Sequence, residues 1–365
     1  MGRRRAPFAL VIAVAALVAA SCVAPPDPGV GPVPTCPARA LRTLEQTDQV
    51  DFSLVRGVSA NGRWVVTSRT IGAALELTLR DVQSGTATQV GTVGVETSDD
   101  RVPVAVADDG ERVSVQVPPD AEGPRRLVRW ERTTGTLDDV APPAAGMLYR
   151  GLGPDATLAG WTDSLSDPTW VVTDTLTDTV LGTDWTGLAP IEGSSRSGRF
   201  QGGTDLSDGS TTSLVPAFES LGAEWEDPRV ESVSPNGTKV LLMAERYPPG
   251  DVVARLWVWD TVAASLDVVA DGYLAGGLVS DDGRVVLART TDPLTGATRI
   301  EEHAPSGVVS VLFAGGDVRP IVAPDANPYP PQGLFLATAD LRSVVFTAFT
   351  APLPPTAKVY AARCV

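Results

Sequence analysis

Histidine and cysteine, which commonly act as general bases, nucleophiles or metal ligands, are scarce in this sequence. Among 365 residues there are one histidine, His303, and three cysteines. A Ser-His-Asp triad or a His-rich metal site would have to use His303, and no G-x-S-x-G motif is present to supply the serine. We therefore assign no catalytic residue, and we interpret His303 as a surface or edge residue of a strand.

Carboxylates are abundant, and they are the remaining group that could do chemistry. Aspartate pairs occur at 99–100, 108–109 and 281–282. Carboxylate oxygens are the ligands that Ca²⁺ prefers in proteins. Aspartate at such places also initiates turns by accepting hydrogen bonds from nearby backbone N–H groups. We expect the turn role, so the sequence predicts no cofactor and no metal, with Ca²⁺ as the alternative.

A ten-residue motif recurs along the chain and identifies the elements that must position these carboxylates. Its clean copies are VSANGRWVVT (58–67), VADDGERVSV (106–115), VSPNGTKVLL (233–242) and VSDDGRVVLA (279–288). Three weaker copies are centred on Ala156, Gly198 and Leu341. Each clean copy has a two-residue turn, a glycine and then an alternating apolar run. This pattern is typical of two antiparallel strands joined by a hairpin.

A second, weaker motif follows most copies and contributes two more short strands, as in LTLRDVQSGTATQVG (77–91) and LWVWDTVAASLDVVA (256–270). The mean spacing of the seven motif glycine positions is about 46 residues, close to the length of a four-stranded propeller blade. We therefore predict an all-β fold, a seven-bladed β-propeller of four-stranded antiparallel blades over residues 36–365; a β-sandwich is the alternative. The second strands are predicted near 63–69, 111–117, 156–162, 199–204, 238–244, 284–290 and 342–348.

The S-x-D-G-R-x-V pattern of these copies resembles the WD-like propeller repeats of TolB and of the propeller domains of prolyl oligopeptidase-type peptidases. The resemblance covers about residues 50 to 350. It implies the blade architecture and says almost nothing about function, because propellers carry many unrelated activities. TolB itself looks six-bladed and has an extra N-terminal domain, whereas this chain has seven copies of the motif. We therefore do not equate the two proteins.

The residue six positions before the motif glycine lies near the start of the first strand of each predicted blade, a place where propellers commonly hold ligands. It is charged in four copies, as Arg56, Arg150, Glu192 and Glu231. We predict that these four residues form a polar binding patch at one mouth of the channel. The alternative is that they are ordinary solvated side chains at its rim.

The N-terminus has the pattern of a bacterial lipoprotein signal. Three arginines at 3–5 precede the apolar run 6–20, which is too short to span a bilayer comfortably. The run ends in Ala-Ala-Ser-Cys, which resembles a lipoprotein cleavage box whose cysteine is lipidated. We predict a signal peptide over residues 1–21 and a lipid on Cys22, with ordinary signal cleavage as the alternative. The proline-rich residues 22–35 then form an extended tether.

The cysteine count fits this interpretation. Lipidation of Cys22 leaves Cys36 and Cys364 at the two ends of the predicted domain. A propeller closes by pairing strands from the two ends of the chain, so we predict a disulfide between these two cysteines. The N-terminal strand near 40–45 should then lie beside the C-terminal strand 357–364. Two free thiols, or a bond to Cys22, are the alternatives.

The charge of the chain limits its partners. The sequence has 29 Lys+Arg against 44 Asp+Glu, a formal net charge of −15. This disfavours nucleic acid and anionic lipid headgroups, so membrane contact is expected through the lipid only. We expect an exported protein at the outer face of the cell membrane that binds or scaffolds an unknown envelope protein or glycan rather than an enzyme. The alternative is a carboxylate-dependent glycan- or lactone-directed hydrolase with its site in the channel.

Overall fold

The computed structural model describes residue 36 and residues 39–48, 52–94, 102–117, 126–149, 157–163, 170–185, 200–201, 204–205, 213–249, 252–292, 297–318, 335–350 and 356–364. All of them belong to one unit, Cys36–Val365. The predicted signal peptide, Cys22 and the tether lie outside the described residues, as do Arg150 and Glu192. Among the described elements, no helix has the length and apolar character needed to cross a membrane.

The described residues form strands almost throughout. The strands are β1 (Arg39–Asp48), β2 (Ser53–Val58), β3 (Trp64–Ile71), β4 (Ala74–Asp81), β5 (Ala87–Gly94), β6 (Val104–Val106), β7 (Arg112–Val117), β8 (Arg126–Glu131), β9 (Leu137–Asp139), β10 (Leu148–Tyr149), β11 (Leu158–Thr162), β12 (Trp170–Asp174), β13 (Val180–Trp185), β14 (Phe200–Gln201), β15 (Thr204–Asp205), β16 (Glu226–Val233), β17 (Lys239–Arg246), β18 (Val253–Asp260), β19 (Ser265–Gly272), β20 (Leu274–Val279), β21 (Val285–Asp292), β22 (Ala297–His303), β23 (Val309–Val318), β24 (Phe335–Ala337), β25 (Ser343–Thr350) and β26 (Thr356–Cys364). One short helix, α1 (Val215–Glu219), precedes β16.

The strands build antiparallel sheets of four. Sheet 1 is β2–β5, sheet 2 is β6–β9, sheet 3 is β10–β13, sheet 5 is β16–β19 and sheet 6 is β20–β23. Sheet 7 consists of β24, β25, β26 and β1, and it is joined to sheet 6 through the end of β23. The described part of the region between sheets 3 and 5 contains the two-stranded hairpin β14–β15. The all-β architecture of four-stranded antiparallel sheets is therefore confirmed.

The second strands follow the sequence prediction closely. Six of them, β3, β7, β11, β17, β21 and β25, begin one or two residues after the predicted start, and β14 begins one residue after the start predicted for the fourth copy. The second strands begin at these positions because the motif turn occupies the residues just before each of them. In the clean copies the glycine N–H donates to the carbonyl three residues before, for example from Gly237 to Ser234 at 2.9 Å. The glycines have φ between +68° and +79°, a region that favours glycine.

A second type of turn joins the third and fourth strands of sheets 1, 2, 3, 5 and 6. The third strand ends at the same register position in five sheets, occupied by Asp81, Glu131, Asp174, Asp260 and His303. In three of these turns an aspartate Oδ1 accepts backbone N–H groups two and three residues later. The residue four positions after the strand end has positive φ in all five turns, as Gly85, Gly135, Asp178, Ala264 and Gly307.

Neighbouring sheets pack against one another with their first strands side by side. Gly57 on β2 approaches β6 so closely that a Cβ would lie 2.5 Å from the carbonyl oxygen of Val104. The N–H of Val279 on β20 donates to Ser232 Oγ on β16 at 3.0 Å. Buried apolar clusters fill the space between sheets 1 and 2 and between sheets 5 and 6. A third cluster packs sheet 1 against sheet 7, so both faces of sheet 1 are covered, as the stacking of repeated units requires.

Sheet 7 combines the two ends of the described unit. β1 pairs with β26 from Arg39 opposite Cys364 to Asp48 opposite Thr356. Cys36 and Cys364 form a disulfide, with their Cα atoms 5.4 Å apart. The strand order and the cysteine pair are those that the sequence predicted.

The first strand of sheet 7 is divided into two parts. Asp317 and Val318, at the end of β23, pair with Phe349 and Ala348 of β25, whereas β24 pairs with the other half of β25. Residues 319–334, between these two segments in sequence, lie outside the described residues. This division accounts for the long spacing before the last copy of the motif.

Candidate functional site

Two of the predicted site residues occupy the same unusual backbone position. In β2, Val55 pairs with Thr67 and Gly57 with Val66, so Arg56 is an extra residue opposite the β3 ladder. In β16 the pairing likewise skips Glu231, which lies between paired Val230 and Ser232. Each residue is therefore the extra residue of a β-bulge, a device that redirects a side chain and is enriched near functional sites.

Arg56 is buried at its bulge. Its side chain lies within sheet 1, where Nε donates to Ser68 Oγ on β3 at 2.7 Å. Arg56 lies on sheet 1 and Glu231 on sheet 5. The predicted patch is thus described at two of its four positions.

Glu231 belongs to an ion-pair cluster at one end of sheet 5. Arg229 on the same strand donates from Nε to Glu231 Oε1 at 2.9 Å and from Nη1 to Glu245 Oε1 on β17 at 3.0 Å. Burial alone would lower the pKa of Arg229, but the two carboxylates raise it above its usual value. The guanidinium therefore holds two carboxylates together in a partly buried position.

Tyr247 and Asp227 extend this cluster to the surface. The Tyr247 hydroxyl lies 2.9 Å from Glu245 Oε2 and 3.2 Å from Asp227 Oδ2, so its single proton serves one of them at a time. The hydrogen bond to Glu245, followed by burial and the charges of both carboxylates, raises the pKa of Tyr247 to about 12. The phenol stays protonated, and the side chain is 49% exposed.

This cluster, which we call the β16–β17 cluster (Asp227, Arg229, Glu231, Glu245 and Tyr247), lies at the end of sheet 5 opposite the motif turn. β16 runs into that turn and β17 leaves it, so residues early in β16 and late in β17 meet at the far end. Three carboxylates and one guanidinium give the cluster a formal charge of −2. A Tyr hydroxyl and carboxylates at a strand end can recognise polar hydroxyl or cationic groups.

The cluster also contacts the next sheet. A Cβ on Gly276 of β20 would lie 3.0 Å from Glu231 Oε2, so the carboxylate lies against the backbone there. β20 has its own register shift between Leu274 and Gly277, and Gly276 has φ +101°. Two bulged first strands therefore lie side by side at this place.

The same motif position is not polar in every sheet. In sheet 2 it is Val104 and in sheet 7 it is Phe335, and both side chains are buried in apolar clusters. In sheet 6 it is Gly277, whose added Cβ would lie 2.9 Å from a methyl group of Leu241. Among the described residues this position is therefore not a continuous polar ring. Where the strand has no bulge, the position faces the core.

In the two described acidic pairs the second aspartate takes the predicted turn role, since Asp109 and Asp282 each accept the backbone N–H two residues later. Asp108 Oδ1 accepts the N–H of Asn61 at 2.7 Å, and Asp281 Oδ1 accepts that of Asn236 at 2.9 Å, so each links two neighbouring motif turns. Asp282 is held by Arg284. The pair 99–100 lies outside the described residues. In the part of the chain that the structure describes, no group of three or more His, Cys, Asp or Glu side chains is arranged to hold a metal ion.

His303 differs from its prediction as a surface or edge residue. It ends β22, an inner strand of sheet 6, and its side chain is 11% exposed. Its Nε2 lies 3.0 Å from Glu301 Oε2, and Arg289 Nε donates to the same carboxylate oxygen at 3.1 Å. Burial would raise the pKa of Glu301, but the hydrogen bonds from His303 and Arg289 lower it. Arg289 also bonds to the carbonyl of Asp271, so this network ties sheet 6 to sheet 5.

Sequence reasoning missed Arg229, Glu245 and Tyr247. They join Glu231 only through the pairing of β16 with β17, which places residues sixteen apart in sequence within hydrogen-bonding distance. One signal was available. Arg229 and Glu231 are two residues apart on β16, and Glu245 and Tyr247 are two residues apart at and just after the end of β17, which is the period-2 pattern of residues on one face.

No protein-family model matches the chain, and no curated protein matches it by sequence. Solved structures do. One is an oligogalacturonate lyase in complex with manganese, 13% identical, with a TM-score of 0.50, covering 90% of this chain and 97% of that one. Another is an acylaminoacyl peptidase from Pyrococcus horikoshii, 12% identical, TM-score 0.50, covering 86% of this chain and 52% of that one.

TolB from Acinetobacter baumannii is also among the similar structures. It is 13% identical with a TM-score of 0.36, and the match covers 85% of this chain and 63% of TolB. At these identities the likeness concerns the fold alone. With the four-stranded antiparallel sheets described above, the likeness to the oligogalacturonate lyase, a β-propeller protein, shows that this chain has a β-propeller architecture.

Proposed function

We propose that this protein is an exported β-propeller that binds or scaffolds a partner at the bacterial envelope. The observation that carries the proposal is the β16–β17 cluster, whose polar groups reach the surface through Tyr247 at the junction of two sheets. The disulfide between Cys36 and Cys364 supports export, because such bonds persist in oxidising compartments.

We further propose that the sheets close into a ring of seven blades. Six four-stranded sheets and the β14–β15 hairpin support this count in the described residues. The side-by-side packing of β2 with β6 and of β16 with β20 supports a common axis for the first strands. The pairing of β1 with β26 supports closure by the two chain ends.

Binding is tested with the full chain carrying an affinity tag in its native host. Proteins cross-linked to it are identified for the wild type and for the double variant Glu231→Gln, Glu245→Gln. A partner of this site is enriched with the wild type and lost with the double variant. The matched control is Glu76→Gln, which removes another carboxylate that is paired with an arginine, Arg69, but on the third strand of sheet 1. Equal recovery from all three forms contradicts the proposed site.

Attachment to the membrane through Cys22 is a separate part of the proposal. It is supported by the charged start, the short apolar run and the Ala-Ala-Ser-Cys sequence. A labelled fatty acid supplied to growing cells should mark the wild type and not Cys22→Ala, and only the wild type should sediment with membranes. A mature N-terminus at any residue other than Cys22 would contradict lipidation. That result would not bear on the proposed binding site, which the cross-linking experiment tests.

A second candidate function is a carboxylate-dependent hydrolase acting on a glycan or a lactone. The observation in its favour is the convergence of Glu231 and Glu245 on Arg229, since paired carboxylates are the usual catalytic groups for glycoside hydrolysis. Against it, Arg229 occupies both carboxylates. The negative charge of the cluster also disfavours a uronate substrate such as that in the name of the similar lyase.

The two functions are separated by an activity assay on the purified full chain. Neutral oligosaccharides, oligogalacturonate and lactones are supplied with Ca²⁺, with Mn²⁺ and with a chelator. An enzyme would release product with the wild type and lose at least a hundredfold in rate in Glu245→Gln, in line with the loss of a general acid or base. We expect no turnover of any of these substrates.

A further inference from the structure

Two of the three asparagines in the chain, Asn61 and Asn236, precede a glycine. Both lie in motif turns and both are exposed. Asn-Gly steps are chemically reactive because glycine has no side chain to shield its backbone nitrogen from the neighbouring amide carbon. We propose that Asn236 is a site of spontaneous deamidation in the folded protein and that Asn61 is protected from it.

The reaction needs only water. The backbone nitrogen of Gly237 loses its proton and forms a bond to Cγ of Asn236, while the bond from Cγ to Nδ2 breaks and ammonia leaves. The product is a five-membered succinimide. Water then opens this ring at one of its two carbonyls, which gives either aspartate or isoaspartate. No electron is gained or lost, and the net change is replacement of an amide by a carboxyl group.

The two asparagines differ in how the side-chain amide is held. In Asn61, Oδ1 accepts the N–H of Arg63 at 2.9 Å, and Nδ2 donates to the carbonyl oxygen of Asp108 at 2.8 Å. Both ends of the amide are fixed, so Cγ cannot turn toward the nitrogen of Gly62. The carbonyl of Asp108 also holds the nitrogen that would have to leave.

The amide of Asn236 is held at one end. Its Oδ1 accepts hydrogen bonds from the Ser234 hydroxyl at 2.9 Å and from the backbone and hydroxyl of Thr238 at 2.9 and 2.7 Å. Among the residues that the structure describes, Nδ2 of Asn236 donates no hydrogen bond. Asp281 occupies the place of Asp108 in the next motif turn, but only its carboxylate takes part, by accepting the backbone N–H of Asn236.

The equivalent turns in other copies of the motif indicate how each deamidation product would fit the structure. They carry aspartate at the same position, as Asp109, Asp282 and Asp340, and each accepts the N–H of the residue two positions later. An aspartate at 236 can make the same bond, so that product is compatible with the turn. Isoaspartate adds a methylene group to the backbone and is not. It would break the bond from Asn236 to Asp281, which links the turns of sheets 5 and 6.

The test is mass spectrometry of the purified full chain aged in mildly alkaline buffer. Cleavage after arginine and lysine gives one peptide for each site, 57–63 for Asn61 and 230–239 for Asn236. We expect the mass increase of deamidation and the chromatographic splitting caused by isoaspartate to appear several-fold faster at Asn236. The same two peptides, synthesised and aged alone, serve as the reference because neither has its tertiary contacts.

Every outcome is decisive. A ratio in the folded protein that equals the ratio in the free peptides, or faster conversion at Asn61, overturns the proposal. So does an unchanged Asn236 after a period that fully converts its free peptide. The variant Asn236→Asp supplies an independent readout, since it should unfold at the wild-type temperature if the aspartate product fits the turn.

Discussion

The carboxylate of Glu231 lies directly against Gly276 of the next sheet, where a Cβ would come within 3.0 Å of Oε2. Gly276 also has φ +101°, which side-chain-bearing residues rarely adopt. The backbone conformation therefore favours glycine at 276, and a side chain there would also displace the Glu231 carboxylate that pairs with Arg229.

Gly276→Ala should lower the free energy of unfolding more than Gly307→Ala. Gly307 also has positive φ, at +82°, but a Cβ there would meet nothing within 4 Å. We expect about 1 kcal/mol for Gly307→Ala, from the left-handed backbone alone, and a larger loss for Gly276→Ala. Adding Glu231→Ala to both isolates the contact, and an unchanged difference between the two alanine variants in that background would show that Glu231 plays no part.

Ala264→Gly should stabilise the protein. Ala264 has φ +50° at the turn position where three other sheets have glycine. Relief of the left-handed backbone strain raises the free energy of unfolding by about 1–2 kcal/mol. The greater freedom of glycine in the unfolded chain lowers it by about 0.5–1 kcal/mol. Denaturant unfolding should therefore show a gain of up to about 1.5 kcal/mol. A loss would mean that the Ala264 methyl group makes contacts that outweigh the strain.

Stability should fall below pH 4 through Asp81. Hydrogen bonding from Arg63 at 2.8 Å, with the N–H groups of Gln83 and Ser84, lowers the pKa of Asp81 to about 2. A carboxyl whose folded pKa is depressed stabilises the fold above its unfolded pKa, and this contribution is lost as the pH falls from about 4 toward 2. Asp81→Asn should be less stable than the wild type at neutral pH and should converge with it near pH 2. Arg63→Gln should weaken the pH dependence in the same range.

Removing the disulfide should destabilise the protein without changing its fold. Cys36→Ser together with Cys364→Ser opens a bond that spans 328 residues of sequence. Loss of a native disulfide typically costs about 2–5 kcal/mol, largely because the unfolded chain gains freedom. The melting temperature should drop while the far-ultraviolet circular dichroism of the folded state is retained. Loss of the folded signal would contradict this prediction, because it would show that the protein needs the bond to fold.

The repeat could be predicted from sequence because its turn has a local chemical requirement. Positive φ selects glycine at 62, 110, 237 and 283, and the flanking apolar alternation fixes the strands on either side. Even Leu341, which lacks the glycine, was located by spacing, and its φ of +55° shows that it adopts the same turn.

The candidate site could be predicted only in part, because it depends on register. The sequences of β2 and β16 contain no local signal that Arg56 and Glu231 are extra residues in the ladder, because a bulge depends on the pairing of two strands. For the same reason Glu245 could not be joined to Glu231. His303 was misjudged because its equivalence to Asp81 becomes visible only when the third strands are aligned by their pairing.

The pairing of β1 with β26 and the adjacent disulfide also determine how the protein responds to mechanical force. A force applied through the segment before Cys36 would otherwise unzip β1 from β26, starting at the Arg39–Cys364 end of the ladder. The disulfide lies at that end. The force therefore passes through the disulfide into β26 and from there to β25. Because β1 and β26 then bear the force together, the hydrogen bonds between them do not break one after another.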